Sequence, residues 1–351
     1  MERTELRALE LIERVRSKPL RFRDGQITMA HGAGGKASQT LIEGLLAPAL
    51  GVRELDDAAA VGDLAITTDS YVVKPIRFPG GSIGELAVNG TVNDLAVSGS
   101  RPLALTVSLV LEEGLSAEEL RAEVEAIARA AEAAGVEIVG GDTKVVERGH
   151  CDAMYVCTTG IGRIDPRARL SPSALAVGDR ILVSGSIGDH GTAIMLARGE
   201  FELDAEIESD TRSLWPAVDA MLDAAGDSVH SLRDATRGGV ATVLNELAKA
   251  SGVAIVVDEA AVPVDPAVTG ACEILGIDPM YVANEGKLVA FVAPEAAEAA
   301  LAALRATPGG ERAAEIGEVK TDPSGMVLLE TAFGGRRVMD LLVGDPLPRI
   351  C

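Results

Sequence analysis

The sequence predicts an α+β protein of two domains, and three observations carry that reading. Its 351 residues exceed what one small core organises. Strand-like and helix-like apolar patterns mix through both halves, with weak hairpin signals. The stretch 165–179, with Pro166 and Pro172, interrupts the pattern midway. The expected organisation is an N-terminal extension over 1–24, a first domain over 25–165, a second over 166–339, and a flexible tail over 340–351 that ends in Cys351.

Residues 1–18 alternate charge with Leu and Ile, as a short amphipathic helix does, and Pro19 ends it. A glycine-rich segment, His31-Gly32-Ala33-Gly34-Gly35-Lys36, then leads into a helical pattern through Leu41, Ile42, Leu45 and Leu46. Alternation over 64–69 predicts a strand ending on Asp69. Ser82 caps a helix from Ile83 to about Ser98 that is apolar nearly all round and so buried. Residues 103–111 read as a strand, and Ser116 with Glu119 forms a capping box for a helix ending at Gly135. Residues 136–139 read as a short strand that stops before Gly140-Gly141-Asp142-Thr143-Lys144, and 154–164 as another. In the second half, strands are expected at 180–184, 253–257, 288–292 and 326–329. Helices are expected after Gly185–Gly191, at 240–250, 267–275 and 295–306.

Composition narrows the function. A net charge of −21 repels a polyanion, which excludes nucleic acid as partner. Aromatic residues are only 3%, so the core must be aliphatic. No segment reaches the roughly 20 apolar residues of a membrane span. Cys151, Cys157, Cys272 and Cys351 show no metal-ligand spacing, which fits reduced thiols in a cytoplasm.

The chemical signal is a set of carboxylates at turns and strand ends: Asp57 after Asp56, Asp69 after Thr68, Asp94 after Asn93, Asp142 after Gly141, and Asp234 before Gly238-Gly239. Singly, each is as compatible with capping a turn. Together they suit hard cations, Mg²⁺ foremost, that clamp phosphate oxygens. Asp94 is the hardest to dismiss, because a charge within an apolar helix costs several kcal/mol unless paired or bound to a cation. Gly32–Lys36 departs from the P-loop spacing, yet its amides and Lys36 could cover a triphosphate as readily as form an ordinary turn. Glu285, within Asn284-Glu285-Gly286-Lys287, is a candidate general base or a solvated turn residue. A terminal cysteine on a proline-bearing tail can be carried to a distant site, or be incidental.

The order Asp57-Ala58-Ala59, Thr68-Asp69, Asn93-Asp94, Gly141-Asp142-Thr143 and Asp234 to Gly239 resembles one ATP-using superfamily. It includes aminoimidazole ribonucleotide synthetase, selenophosphate synthetase and thiamine-monophosphate kinase. Within it the chain resembles the HypE family of nickel–iron hydrogenase maturation proteins. That likeness rests on Ala30–Lys36, Phe78-Pro79-Gly80-Gly81, Gly141–Val145, Gly188-Asp189-His190-Gly191, Asn284–Lys287 and the Pro348-Arg349-Ile350-Cys351 ending, and covers about 26–351.

The resemblance implies an N-terminal ATP-binding and dimerisation domain, a C-terminal α/β sandwich, and a homodimer whose N-terminal sheets associate. It implies ATP and Mg²⁺ held by Asp57, Asp69, Asp94, Asp142 and Asp234, with Thr68, Asn93 and Gly141 beside them. A HypF-like carbamoyltransferase would load Cys351. The chain would dehydrate that thiocarbamate to a thiocyanate, and the cyanide would pass to iron on a HypC–HypD-like scaffold. Lys36 or Lys144 would offset phosphate charge, and Glu285 would act as base with His190 or His31 as helpers. The alternatives are another enzyme of the superfamily, such as a selenophosphate synthetase (though 31–36 lacks its usual cysteine), or a non-catalytic nucleotide-binding scaffold.

Overall fold

The computed structural model describes residues 20–53, 55–199, 206–331, 333–344, 347 and 349–351. The amphipathic segment 1–18 lies outside them. The glycine-rich segment leads into one continuous helix, Lys36–Leu41, Ile42–Leu46 with a π turn, and Ala47–Leu50 (together α1). Strands β1 (Ala59–Val61) and β2 (Leu64–Tyr71) follow. A small hairpin, β3 (Arg77–Phe78) and β4 (Gly81–Ser82), enters α2 (Ile83–Val97). The first half closes with β5 (Ser100–Glu112), α3 (Ala117–Ala134), β6 (Glu137–Val146) and β7 (Met154–Ile164).

These strands form a five-stranded sheet in the order β1-β2-β7-β5-β6. Only the β5–β6 pair is parallel, which is why a helix must cross between them. The α3 start is built as expected: the Ser116 hydroxyl donates to the Glu119 carboxylate at 2.8 Å and accepts from the Glu119 N–H at 3.1 Å. Helix α2 is buried almost all round because it lies between this sheet, α3 and the second domain. Gly84 permits the close α2–α3 approach, since a Cβ there would meet the Glu123 carbonyl oxygen at 2.5 Å.

The second half contains β8 (Arg180–Val183), α4 (Asp189–Ala197), α5 (Trp215–Ala225), β9 (Val229–Asp234), α6 (Gly239–Ser251) and β10 (Ala254–Asp258). It continues with α7 (Pro266–Leu275), β11 (Leu288–Val292), α8 (Ala297–Ala306), β12 (Ala314–Lys320), β13 (Met326–Glu330) and β14 (Arg336–Met339). Seven strands make a mixed sheet in the order β14-β13-β10-β12-β8-β11-β9. One apolar cluster packs α6 on one face, and another packs α5 and α8 on the opposite face.

The structure differs from the sequence expectation at several elements. Helix α5 and strands β9, β12 and β14 were not anticipated. Pro216 reads as a breaker but sits in the first turn of α5, where its missing N–H costs nothing. In β9, Val229-His230-Ser231-Leu232-Arg233-Asp234 lacks an apolar alternation because even its charged end is buried. The glycines Gly140 and Gly141 do not end a strand; β6 runs through them to Val146 as an exposed sheet edge. Among the described residues, no helix is long and apolar enough to cross a membrane.

The tail is the largest difference. Leu347 and Ile350 are buried in a cluster with Phe78, Ile194 and Val282. The Cys351 and Arg349 carbonyl oxygens accept from the N–H groups of Val72 (3.0 Å) and Lys74 (3.2 Å). Far from standing free, the tail lies along the segment that follows β2, because its two apolar side chains find a groove.

Candidate active site

A cleft of about 710 Å³ opens between the sheet of the first domain and the β9–α6 region of the second. Three expected carboxylates converge there. Asp57 comes from the loop before β1, Asp94 from α2 and Asp234 from the end of β9. Each offers an oxygen, and all three oxygens lie within 4.8 Å of one another. Asp69 lines the same cleft from β2. Like charges this close cannot all be ionised in a half-dry site. Burial, then the neighbouring carboxylates, push Asp94 and Asp234 well above the usual range. Burial lifts Asp57 to about 6 against the pull of Arg233, with which it is ion-paired. Arg233 also holds Asp56 at 3.1 Å.

Period-two geometry in β2 decides which threonine belongs to the site. Residues 65, 67, 69 and 71 point toward α2, whereas 66, 68 and 70 point away. Thr67 therefore donates to the Asp94 carboxylate at 2.8 Å. The Thr68 hydroxyl instead bonds the Thr158 carbonyl at 3.0 Å and meets the Thr159 hydroxyl at 3.1 Å on the outer face. Thr68, the expected threonine, lines the cleft but turns its hydroxyl to β7, whereas the contact to Asp94 falls to Thr67, which was not foreseen.

Glu285 sits in the cleft, held by its main chain rather than its carboxylate. Its N–H donates to Asp210 at 3.0 Å and its carbonyl accepts from the Asn93 amide at 3.1 Å. Asp210 is fixed in turn by Lys287 at 2.8 Å. Gly286 is required beside it, because a Cβ there would meet the Asp210 carbonyl oxygen at 1.9 Å. The Glu285 Oε1 atom is buried without a hydrogen-bond partner among the described residues. Burial, then Asp234, Asp210 and Asp69, hold this carboxyl well above its ordinary value, and Arg237 opposes them.

Cys351 enters the same cleft. The residue is half-buried, yet enough protein surrounds its thiol that burial pushes it up to about 12, against the attraction of Arg237. Arg237, Arg233, Thr67 and Glu246 also line the cleft and were not foreseen as site residues. Arg233 and Arg237 do flank Asp234 in sequence, and that proximity was the available signal.

Other expected residues are not brought to the cluster. Asp142 and Lys144 pair with each other on the exposed β6 edge, with Gly141 beside them. Lys36 points away to Asp340 at 2.8 Å. The Asn93 amide is spent on the Leu214 N–H at 2.7 Å and on the Arg212 and Glu285 carbonyls, so it joins the domains instead of facing a ligand. His31 lines the cleft but bonds Asp24 and Thr28. His190 is buried against the tail. Gly34 and Gly35 pack directly on the second domain, where Cβ atoms would meet the Arg237 and Leu342 carbonyl oxygens at 2.6 and 2.5 Å. The glycine-rich segment is thus a fitted wall of the cleft, with Lys36 turned to Asp340.

Comparison with known proteins agrees with this architecture. Residues 55–164 match the model of the AIR synthase related protein, N-terminal domain, and residues 176–329 that of its C-terminal domain. A carbamoyl dehydratase HypE of Rhodobacter capsulatus is 48% identical over 339 residues, covering 94% of this chain and 99% of that relative. A solved HypE–HypF complex shares 44% identity at a TM-score of 0.83, covering 86% of this chain and 99% of the other. A solved HypE bound to ATP shares 46% at 0.80, covering 93% of this chain and all of the other. With both domains matched, and with near-full-length relatives almost half identical, the chain belongs to the HypE carbamoyl dehydratase family.

Proposed function

We propose that the chain dehydrates an S-carbamoyl group on its own Cys351 to an S-cyanide at the expense of ATP, supplying cyanide for the iron centre of a nickel–iron hydrogenase. The observation that carries this reading is the seating of Cys351 in one cleft with Glu285 and the three-carboxylate cluster.

The cluster fits Mg²⁺: three hard oxygen donors converge, and Asp57 Oδ2 is buried without a hydrogen-bond partner. Bound there by Asp57, Asp94 and Asp234, with Asp69 adjacent, Mg²⁺ would screen phosphate oxygens and offset the carboxylate repulsion that adds to burial in raising Glu285.

The chain's own residues supply the rest. A carboxamide oxygen leaves poorly until it is phosphorylated, so the oxygen attacks the γ-phosphate of ATP and releases ADP. One N–H proton passes to solvent as the C=N bond forms. Glu285 then takes the second as the oxygen departs with phosphate, leaving S–C≡N. Arg237, beside the Cys351 thiol, stabilises negative charge near sulfur during these steps.

We place a homodimer on the first-domain sheet. In support, β6 is an exposed edge bearing Val139 and Val145, and Ile66 and Ile161 lie exposed and opposite each other on the outer face. At that seam Gly141, Asp142 and Lys144 would reach the neighbouring cleft. A HypF-like carbamoyltransferase loads the tail, a HypC–HypD-like scaffold receives the cyanide, and the four free cysteines suit a cytoplasmic setting.

The test is intact-mass analysis of the chain carbamoylated by its partner, with and without ATP. Loss of one water from the C-terminal peptide only with ATP is the expected result. Phosphate release with that peptide unchanged contradicts the proposal, and no nucleotide turnover at all favours a scaffold.

The cluster also gives a stability prediction. The unfolded chain has Asp94 near 3.8, whereas the folded chain holds it well higher. The folded state therefore keeps a proton that the unfolded state releases, so this group lowers stability as pH rises above 3.8 and has no such effect below it. Without divalent cations, Asp94→Asn is expected to melt higher than wild type at pH 8. The gain is on the order of 1–2 °C for each ~1 kcal/mol relieved in a chain of 351 residues, and it vanishes toward pH 4. Mg²⁺ is expected to raise the wild-type Tm more than the variant's. Calorimetry across pH checks both, and a variant that melts lower at pH 8 contradicts the argument.

A further inference from the structure

Two stretches singled out in the sequence, Phe78–Gly81 and Gly188–Gly191, take no part in the chemistry above. In the fold they converge on one buried side chain, His190, at the start of α4. Its Nε2 lies 2.5 Å from the carbonyl oxygen of Ile350, and its Nδ1 lies 2.8 Å from the Ser209 hydroxyl. A carbonyl can only accept, so Nε2 carries the proton, and Nδ1 of the neutral ring accepts from Ser209. Burial holds the ring neutral by pushing its pKa down.

The surroundings fix that ring. Phe78 stands edge-on to it, with centroids 5.6 Å apart and planes at 89°. The Pro79 carbonyl accepts from the Ser209 N–H at 2.8 Å. Gly80 adopts a φ of +84°, and a Cβ there would meet the Ser209 nitrogen at 2.6 Å. The Gly188 N–H donates to the Asn284 side chain at 2.7 Å, which ties the start of α4 to the segment carrying Glu285. Ring, Ser209 and Glu285 are thus parts of one rigid frame.

The Ile350 carbonyl belongs to the peptide bond that joins Cys351 to the chain. Nearby, the last residues are also held by the main chain of Val72 and Lys74, by the half-buried Arg198 guanidinium, which donates to the Arg349 carbonyl at 2.7 Å, and by the ion pair of Arg349 with Asp152. Among the side-chain contacts described, the His190 bond is the one made to this peptide unit from inside the core.

We infer that His190 is a positioning residue that grips the Ile350 carbonyl and so sets the inward register of Cys351 against Glu285, with Phe78–Gly81 and Ser209 holding its ring and tautomer. The inference rests on Cys351 being the carrier of the reacting group. It divides the catalytic cycle in an unusual way. Loosening the grip slows the inward step but exposes the tail to an external partner, so the two half-reactions respond in opposite directions. A defect of folding would depress both.

The test uses the full-length chain as His190→Ala and His190→Gln. Three rates are read: alkylation of Cys351 by iodoacetamide (by mass of the C-terminal peptide), carbamoylation by the partner enzyme, and single-turnover dehydration with ATP. His190→Ala is expected to raise alkylation about tenfold, to leave carbamoylation equal or faster, and to slow dehydration about tenfold, the scale of one buried hydrogen bond. His190→Gln, whose amide N–H reaches the position of Nε2, is expected to recover most of each change. Should His190→Ala not fold, Ser209→Ala releases the tautomer and is expected to move the rates the same way more weakly. Unchanged alkylation in folded His190→Ala overturns the inference, as does equal loss in both His190 variants. Raised alkylation alongside a wild type that never dehydrates supports the grip and overturns the proposed chemistry, so the two failures are separable.

Discussion

Cys351→Ala is expected to abolish thiocyanate formation outright. In the proposed reaction the sulfur is the atom on which the group is carried, so its removal leaves no substrate to position, in contrast to the graded loss from a weakened contact. No other described cysteine can take its place: Cys151 and Cys272 are buried, and Cys157 pairs its sulfur with the Ser70 hydroxyl at 3.5 Å on the outer face of the sheet. The variant should keep its fold, since Leu347 and Ile350 supply the buried apolar contacts of the tail. Mass analysis after incubation with the carbamoylating partner should show no added group. ATP hydrolysis that depends on carbamoylation should fall to background. A modified, ATP-responsive peptide in Cys351→Ala would move the carrier elsewhere and end the argument.

Glu285→Gln is expected to slow single-turnover dehydration by about 10²–10⁴-fold, the span of general-base catalysis. The substitution is nearly isosteric, and the contacts that hold residue 285 run through its main chain to Asp210 and Asn93, so the loop should survive. ATP binding should persist, because the carboxylate cluster is untouched. The pH dependence gives a second check. The folded pKa of Glu285 lies above its ordinary 4.5, so the base form is scarce at low pH and accumulates as pH rises. The wild-type rate should therefore climb with pH and level off once the carboxyl is ionised, and Glu285→Gln should lose that limb. An unchanged profile in the variant would assign the base to another group.

Most of the elements were legible because their signals are local. Ser116, Glu119 and Gly135 delimit α3 by capping chemistry that needs only neighbouring residues. The strand at 154–164 alternates cleanly because one face packs on α2 and the other does not. Elements were missed where tertiary packing overrode the local pattern. The charged end of β9 is buried because it faces the cleft, and β6 continues through two glycines because a parallel neighbour, β5, supplies its hydrogen bonds.

The candidate site divides along the same line. Asp57, Asp69, Asp94, Asp234 and Glu285 were identifiable as carboxylates in turns or in an apolar helix, and all five line one cleft. Which threonine joins them was not readable without the pleat of β2, nor was the direction of Lys36, set by Asp340 across the domain boundary. The tail shows the limit most clearly. Two prolines and a terminal thiol suggested reach and freedom, yet Leu347 and Ile350 find a groove made by Phe78, Ile194 and Val282, three residues far apart in the chain.

By itself, the sequence determined the two-domain α+β plan and marked candidate carboxylates, because composition, period and capping act over a few residues; the carrier role proposed for Cys351 came from the family resemblance. Tertiary structure alone decided which carboxylates meet and where Cys351 lies. Convergence of a loop, a helix and a strand end depends on how two separate sheets pack, and no local pattern encodes that distance.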